Sequence, residues 1–442
     1  MGPLNYWRRA LSERAKAKVL LEADRLFNEA CAEYETRLRI SPDDHEALYD
    51  WGNALLHQAE ARGGEAAARL LAEACIKYAA ALSIQPEDHE SLNNLGIVLL
   101  HQAQAAAGVE ADRLFEEAAA QFASALRIKP DKHESLYNWG NAFYYHAKTK
   151  TGAEADQLYA KACARYAAAL RINPDDHDAL SNWGDALSGR ARNNVRGEGD
   201  CFFDEACGKY AAALGNKGNK HETLYNWGNA LLHQAMGKSG GEADRLFAGA
   251  CDKYAAAHRI NAEDQETLSN WGDALLCRAR TKEGEEADRL FAEACGKYAA
   301  ALRIKPDNHE AFHNWGIALS IQAETKSGGK ADRLRNEAYA KYAAAFRIRP
   351  DRHETLHNWS SALLAQAQSK TGEEADRLFG EACAKYAAAS RIRPDDQDVL
   401  DNWGKALSAW AETKGGQEAD RLMNEANEKH EAAIRVRGTA IR

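Results

Sequence analysis

Two short segments hold the residue types that a zinc hydrolase uses. His309-Glu310-Ala311-Phe312-His313 and His353-Glu354-Thr355-Leu356-His357 each set two imidazoles one helical turn apart with a glutamate between them. On a helix both rings would share a face and bind zinc, while the carboxylate served as base. The rest of the sequence argues against that chemistry. His-Glu also stands at His45, His89, His133 and His221, where the residue four places on is Tyr49, Asn93, Tyr137 or Tyr225. The signature therefore arises by substitution in a segment that already begins with His-Glu, and no metal is expected. No nucleophile elbow, phosphate-cradling glycine loop or paired-cysteine metal spacing is present, so neither catalysis nor a cofactor is expected.

The recurrence of His-Glu is one sign of a longer period. Proline recurs every 44 residues at Pro42, Pro86, Pro130, Pro174, Pro306, Pro350 and Pro394. Tryptophan keeps the same interval from Trp7 and Trp51 to Trp403, with Leu95 in the one vacant place. A fixed period of this size means stacked supersecondary units, here ten of them in a single array over 1–442.

Each repeat divides into two amphipathic helices. In the second repeat the first helix is predicted from about His45 to Arg62, with Leu48, Trp51, Gly52, Leu55 and Ala59 on one stripe. The second is predicted from about Glu65 to Ile84, with Ala66, Leu70, Ala74, Tyr78, Ala81 and Leu82 forming its stripe. Trp51, Tyr78 and their equivalents are thus expected in the core. Between the helices lies a turn with glycine at positions 64, 108, 152, 240, 284, 328, 372 and 416, suited to positive φ. Between repeats, Pro42 stops one helix, and Asp43 with Glu46 resembles a capping box for the next. The same spacing recurs at Asp131 with Glu134, Asp175 with Asp178, and Asp395 with Asp398. A hairpin alone cannot hide both stripes, so neighbouring repeats must stack.

In Leu48, Trp51, Gly52, Leu55, Ala74, Tyr78, Ala81 and Pro86 the sequence resembles the tetratricopeptide repeat, in the order large, large, small, large, then small, aromatic, small, proline. The likeness extends over all ten repeats. It departs from the family in about ten additional residues between Gly52 and Ala74, which lengthen both helices at their shared turn. The resemblance implies an all-α fold, an α-solenoid superhelix of about ten helix-turn-helix units.

One polar feature persists on the first helix. Asn94, Asn138, Asn182, Asn226, Asn270, Asn314, Asn358 and Asn402 share one phase, with Asp50 in the matching place of the second repeat. Asparagine is a mediocre residue for a helix interior, so propensity does not explain the ladder. Its amide both donates and accepts, and could bond a peptide main chain in either sense. In tetratricopeptide superhelices this face lines the concave groove, and by that resemblance the eight asparagines are assigned to ligand binding. Tyr49, Tyr137 and Tyr225, one place before the ladder, and Asn53, Asn141, Asp185, Asn229 and Asp273, three places after it, would supply selectivity. The competing reading is that the ladder bonds neighbouring backbone and keeps repeats in register. Only Arg9 and Lys405 offer a cation at the outer groove position, so a C-terminal carboxylate is not the expected ligand.

The function expected is a protein-protein interaction scaffold that holds an extended segment of another protein in its groove. The alternatives are a self-assembling structural solenoid or a regulatory subunit of a separately encoded effector enzyme. Net charge is −9 with 28% charged residues of both signs, which suggests no nucleic-acid partner. There is no apolar run near 18 residues and no secretory signal, so no membrane span is expected and a cytoplasmic location follows. Seven of the nine cysteines occupy one repeat phase, too far apart to pair, and are expected to be small, reduced core residues.

Polar replacements at Asn427, His430 and Glu431, together with Arg8 in the place of the packing glycine, suggest capped ends and a monomer. Gly215-Asn216-Lys217-Gly218-Asn219-Lys220 replaces one proline turn, next to an irregular hairpin over Asn193 to Gly199. Sequence drift in a tolerant loop accounts for these features, and the competing reading is a functional hinge at 215–220.

Overall fold

A computed structural model describes residue 22 and residues 24–193, 199–215 and 220–440. Trp7, Arg8, Arg9, most of the irregular hairpin and positions 216–219 of the candidate hinge lie outside the described residues. Helices and turns account for all described residues except short connecting positions, and none of these residues is in a strand. No helix among them is long and apolar enough to cross a membrane. The chain divides into two compact units, Met1–Gly218 and Asn219–Arg442.

In the first unit a helix over 24–40 precedes four hairpins, from His45–Glu60 with Gly64–Ile84 to His177–Asn193 with Gly199–Gly215. In the second, five hairpins run from His221–Met236 with Gly240–Ile260 to Gln397–Glu412 with Gly416–Ala440. Within each unit a second helix lies between its own first helix and the first helix of the next repeat, while successive first helices touch along one side. The protein is an all-α solenoid of tetratricopeptide type.

Backbone conformation at the two kinds of turn sets the helix boundaries. All eight glycines expected at the shared turn have φ between 57° and 63°, and each is the first residue of a second helix. An L side chain there would be strained, which explains why glycine is retained in otherwise open space. At the turn between repeats the capping residue is Asp44, one place beyond the expected Asp43. Its carboxylate accepts from the Ala47 amide at 3.0 Å. Asp88, Asp176, Asp264, Asn308 and Asp396 cap in the same way, so the expected capping boxes at Asp43, Asp175 and Asp395 are corrected by one position, whereas the one at Asp131 has no counterpart because the cap position is Lys132, whose side chain accepts nothing. Asp43 falls within the turn closed by the Asp44 amide and the Ser41 carbonyl.

Close packing of a ring on a glycine joins the two helices of a repeat. A Cβ added at Gly228 would lie 2.7 Å from the ring of Tyr254, and Gly52, Gly140, Gly184, Gly272 and Gly316 are covered by their own tyrosines in the same way. These rings are essentially inaccessible. The tryptophans are half-buried rather than fully enclosed. The eight indoles of the repeat phase from Trp51 to Trp403 are each covered by a cation from their own second helix, as with Lys77 over Trp51 at 3.3 Å and Lys297 over Trp271 at 3.3 Å. All nine cysteines are free thiols. Burial pushes the thiols of Cys163, Cys251, Cys295 and Cys383 up to about 12, which suppresses the reactive thiolate.

Candidate functional site

The touching first helices place the ladder asparagines beside the preceding repeat. Asn270 Nδ2 donates to Tyr225 Oη at 3.0 Å and to Asn229 Oδ1 at 2.9 Å. Asn229 Oδ1 also accepts from the buried Tyr254 hydroxyl at 2.6 Å. The ring that packs on Gly228 therefore orients the acceptor for the next repeat. The same network joins Asn94 to Tyr49 and Asn53, with Tyr78 behind, and Asn182 to Tyr137 and Asn141, with Tyr166 behind. At these junctions the positions expected to confer selectivity are thus bonded to those of the ladder.

Carboxylates take the amide's place at two positions. Asp273 accepts from Tyr298 Oη at 2.7 Å and from Asn314 Nδ2 at 2.8 Å, and Asp185 accepts from Tyr210 Oη at 2.7 Å. A carboxylate can only accept, so Asp273 determines which end of the Asn314 amide faces it. Desolvation pushes the Asp273 carboxyl up to about 6, against the lowering effect of those two donors.

The second histidines of the two zinc-like segments stand in the tyrosine phase and do the work of tyrosine. Asn358 Nδ2 lies 3.2 Å from His313 Nε2, and Asn402 Nδ2 lies 2.9 Å from His357 Nε2. Accepting from an amide requires a lone pair on Nε2 and hence a neutral ring. Burial holds His313 down to about 4 and lowers His357 as well. No cluster of potential metal ligands occurs among the described residues. Asn138 Nδ2 is 3.4 Å from Asn93 Oδ1. Lys405, the described candidate for a carboxylate clamp, is paired with Asp401 at 2.7 Å.

All eight ladder residues are half-buried. The donor half of the bonded amides is used between repeats, in the manner of the register reading. The acceptor half is different: Oδ1 of Asn138, Asn182, Asn270, Asn314 and Asn358 has no bond within the chain and is not enclosed. What this face can offer a partner is carbonyl oxygens, those of Asn138 and Asn182 in the first unit and of Asn270, Asn314 and Asn358 in the second.

Sequence reasoning missed a second inter-repeat device near the shared turns. Asp244 accepts from Arg278 Nε at 2.8 Å and Lys282 Nζ at 2.9 Å of the following repeat. Asp112, Asp288, Asp332 and Asp376 each take a lysine 38 positions on and a second donor 34 positions on. The signal was available, because the aspartate and the lysine keep the same 44-residue period.

A family model described as Plant specific mitochondrial import receptor subunit TOM20 matches residues 21–98, 73–175 and 243–351, together more than half of the chain. No curated protein sequence matches the chain. Similar solved structures include YrrB, a TPR protein with an unusual peptide-binding site, at 20% identity and a TM-score of 0.36, over 54% of this chain and 97% of that one. The C-terminal part of a TPR repeat-containing protein from Cytophaga hutchinsonii matches at 10% identity and a TM-score of 0.46, over 70% of this chain and 98% of that one. A human IFIT1 dimer with PPP-AAAA matches at 15% identity and a TM-score of 0.35, over 93% and 94% of the two chains.

Proposed function

The chain belongs to the family of the plant-specific mitochondrial import receptor subunit TOM20, and from that premise we propose that it is a receptor-type scaffold that captures an extended segment of another protein. The segment lies along the first helices and donates its main-chain N–H groups to the outward Oδ1 atoms of the ladder. The observation that carries this reading is the division of labour within the amides of Asn138, Asn182, Asn270, Asn314 and Asn358. A fixed Nδ2 leaves Oδ1 pre-oriented, so binding loses little side-chain freedom. Many modest bonds to a peptide main chain then add up without large apolar burial.

The first turns of the first helices carry carboxylates, among them Glu46, Glu134, Glu222, Glu266, Glu354 and Asp398, which disfavour a phosphate backbone as ligand. The protein acts in this reading as a binding component without catalytic activity, as one array over 1–442. It works as a monomer facing the cytosol, at the mitochondrial surface that the family name implies.

Capture of extended peptides from a random library by the immobilised full chain tests the reading, with Asn226→Ala/Asn270→Ala/Asn314→Ala alongside. Loss of capture with helicity and melting retained is the expected result. Capture that survives the triple change rejects the groove, and a collapse of melting assigns the ladder to register alone.

A further inference from the structure

At one junction neither member of the aspartate–lysine pair that ties repeats together near their shared turns is present. Where the second and third repeats meet, both positions of the pair are alanine, Ala68 in the aspartate phase and Ala106 in the lysine phase. Gln102 has the phase of Gln322 and Gln366, which donate to Asp288 and Asp332, yet its own side chain has no partner in the chain. Truncation of both side chains opens a recess of about 800 Å³. That volume lies within the range of about 300–1,000 Å³ common for small-molecule sites.

The recess has an apolar floor and an acidic rim. Ala59, Ala67, Leu71, Ala105 and Leu114 form the floor, and Glu60, Glu65 and Glu110 stand around it with Arg62. Arg62 is already held by Asp24. Arg69 pairs with Glu65, and Arg113 reaches both Glu110 and Glu117. Three carboxylates and one guanidinium therefore line the recess, and Glu60 has two imidazole neighbours, His57 Nδ1 at 3.4 Å and His101 Nε2 at 3.7 Å. Apolar surface beneath an excess of negative charge suits a molecule with a hydrocarbon body and a cationic head.

We propose that this recess binds a single-chain amphiphile with a cationic head group, of the long-chain alkylammonium class. The hydrocarbon chain lies on the alanine and leucine floor, and the head is held by Glu60, Glu65 and Glu110. No ladder asparagine lines the site, which does not depend on the peptide-capture reading.

Isothermal titration of the full chain with dodecylammonium chloride below its micellar concentration, beside dodecanoate, tests the assignment. Saturable one-to-one binding of the cation is expected, with the anion weaker by about tenfold or more. Ala68→Asp/Ala106→Lys rebuilds the pair present at other junctions, so it should abolish binding while melting is maintained. Ala67→Leu fills the floor without adding charge and should also weaken binding. Absence of saturable binding, equal affinity for dodecanoate, or full binding by both variants overturns the proposal. So does a molar mass that rises with protein concentration in the parent chain and not in Ala68→Asp/Ala106→Lys, since a second copy would then occupy the recess.

Discussion

The third and sixth repeats solve the same packing problem with different chemistry. The sixth has Tyr254 bonded to Asn229, and Lys253 over Trp227 at 3.5 Å. In the third, Phe122 and Ile97 replace the first pair, and Gln121 and Leu95 replace the second. At the junction of repeats two and three the aspartate and lysine are also lost together, as Ala68 and Ala106. The unit of change is the pair. A tyrosine hydroxyl left in the core without Asn229 would forfeit its hydrogen bond in a water-excluded place, whereas replacing both partners by apolar groups is close to neutral. Buried Asn93 takes over the acceptor role in the third repeat, receiving Ser135 Oγ at 2.9 Å. The eighth repeat makes a different repair, with Ile317 in the acceptor phase and Ser320 Oγ 3.2 Å from Tyr342 Oη.

The largest expected effect tests what the two repeats share. Gly96→Ala and Gly228→Ala each drive a methyl group into a buried ring, with Cβ 2.7 Å from Phe122 or Tyr254. Both should cost about 1–3 kcal/mol in urea denaturation. A penalty in one repeat and none in the other would mean that the hydroxyl, rather than the ring, organises the core.

A smaller effect tests what they do not share. Asn229→Ile removes the acceptor of both Tyr254 and Asn270, at a cost of about 1–3 kcal/mol. Adding Tyr254→Phe should recover part of that loss, leaving the double variant about 1 kcal/mol more stable than the sum of the single changes. Strict additivity in the same denaturation experiment would dissolve the idea that these residues change as a pair.

The smallest effect concerns a third kind of acceptor, the titrating one. Asp273 has a folded value of about 6, above that of the unfolded chain, so the stability it contributes at acid pH is lost as pH rises through about 6. His313 has a folded value of about 4, below that of the unfolded chain. Its contribution is present above the ordinary histidine range and is lost as pH falls through about 4. The two slopes oppose each other between these values. Asp273→Asn should therefore leave stability rising more steeply from pH 4 to 6 than in the parent chain, and His313→Tyr should leave it rising less steeply, since the lowered carboxyls of Asp112, Asp244 and their equivalents act in both variants. Melting temperatures across that window read the sign directly.

Much of the architecture was legible from residue spacing. The first helix expected to end near Arg62 ends at Glu60, and the second expected from Glu65 begins at Gly64. Proline and glycine mark these limits because each restricts or frees φ locally, within one or two residues. The cap was displaced to Asp44 because the turn after Pro42 uses Asp43, a hydrogen-bonding demand that spacing alone does not express. The ladder was visible as a recurrent asparagine, but its partners lie 41 and 45 positions away on another repeat. A helix-face reading compares residues three or four apart and is blind to such bonds. Joint replacement of Asn229 and Tyr254 by Ile97 and Phe122 is the trace they leave in the sequence.

The ladder and clamp bonds span 34, 38, 41 and 45 positions, so each reaches no farther than the adjoining repeat. Duplicating or deleting a whole 44-residue block would keep the donor and acceptor phases of adjoining repeats in alignment. Copy number can therefore change in a lineage without new contacts having to be invented, and the reach of the binding face would lengthen or shorten in fixed steps. A duplication out of frame with that block would misalign all four classes of bond at once.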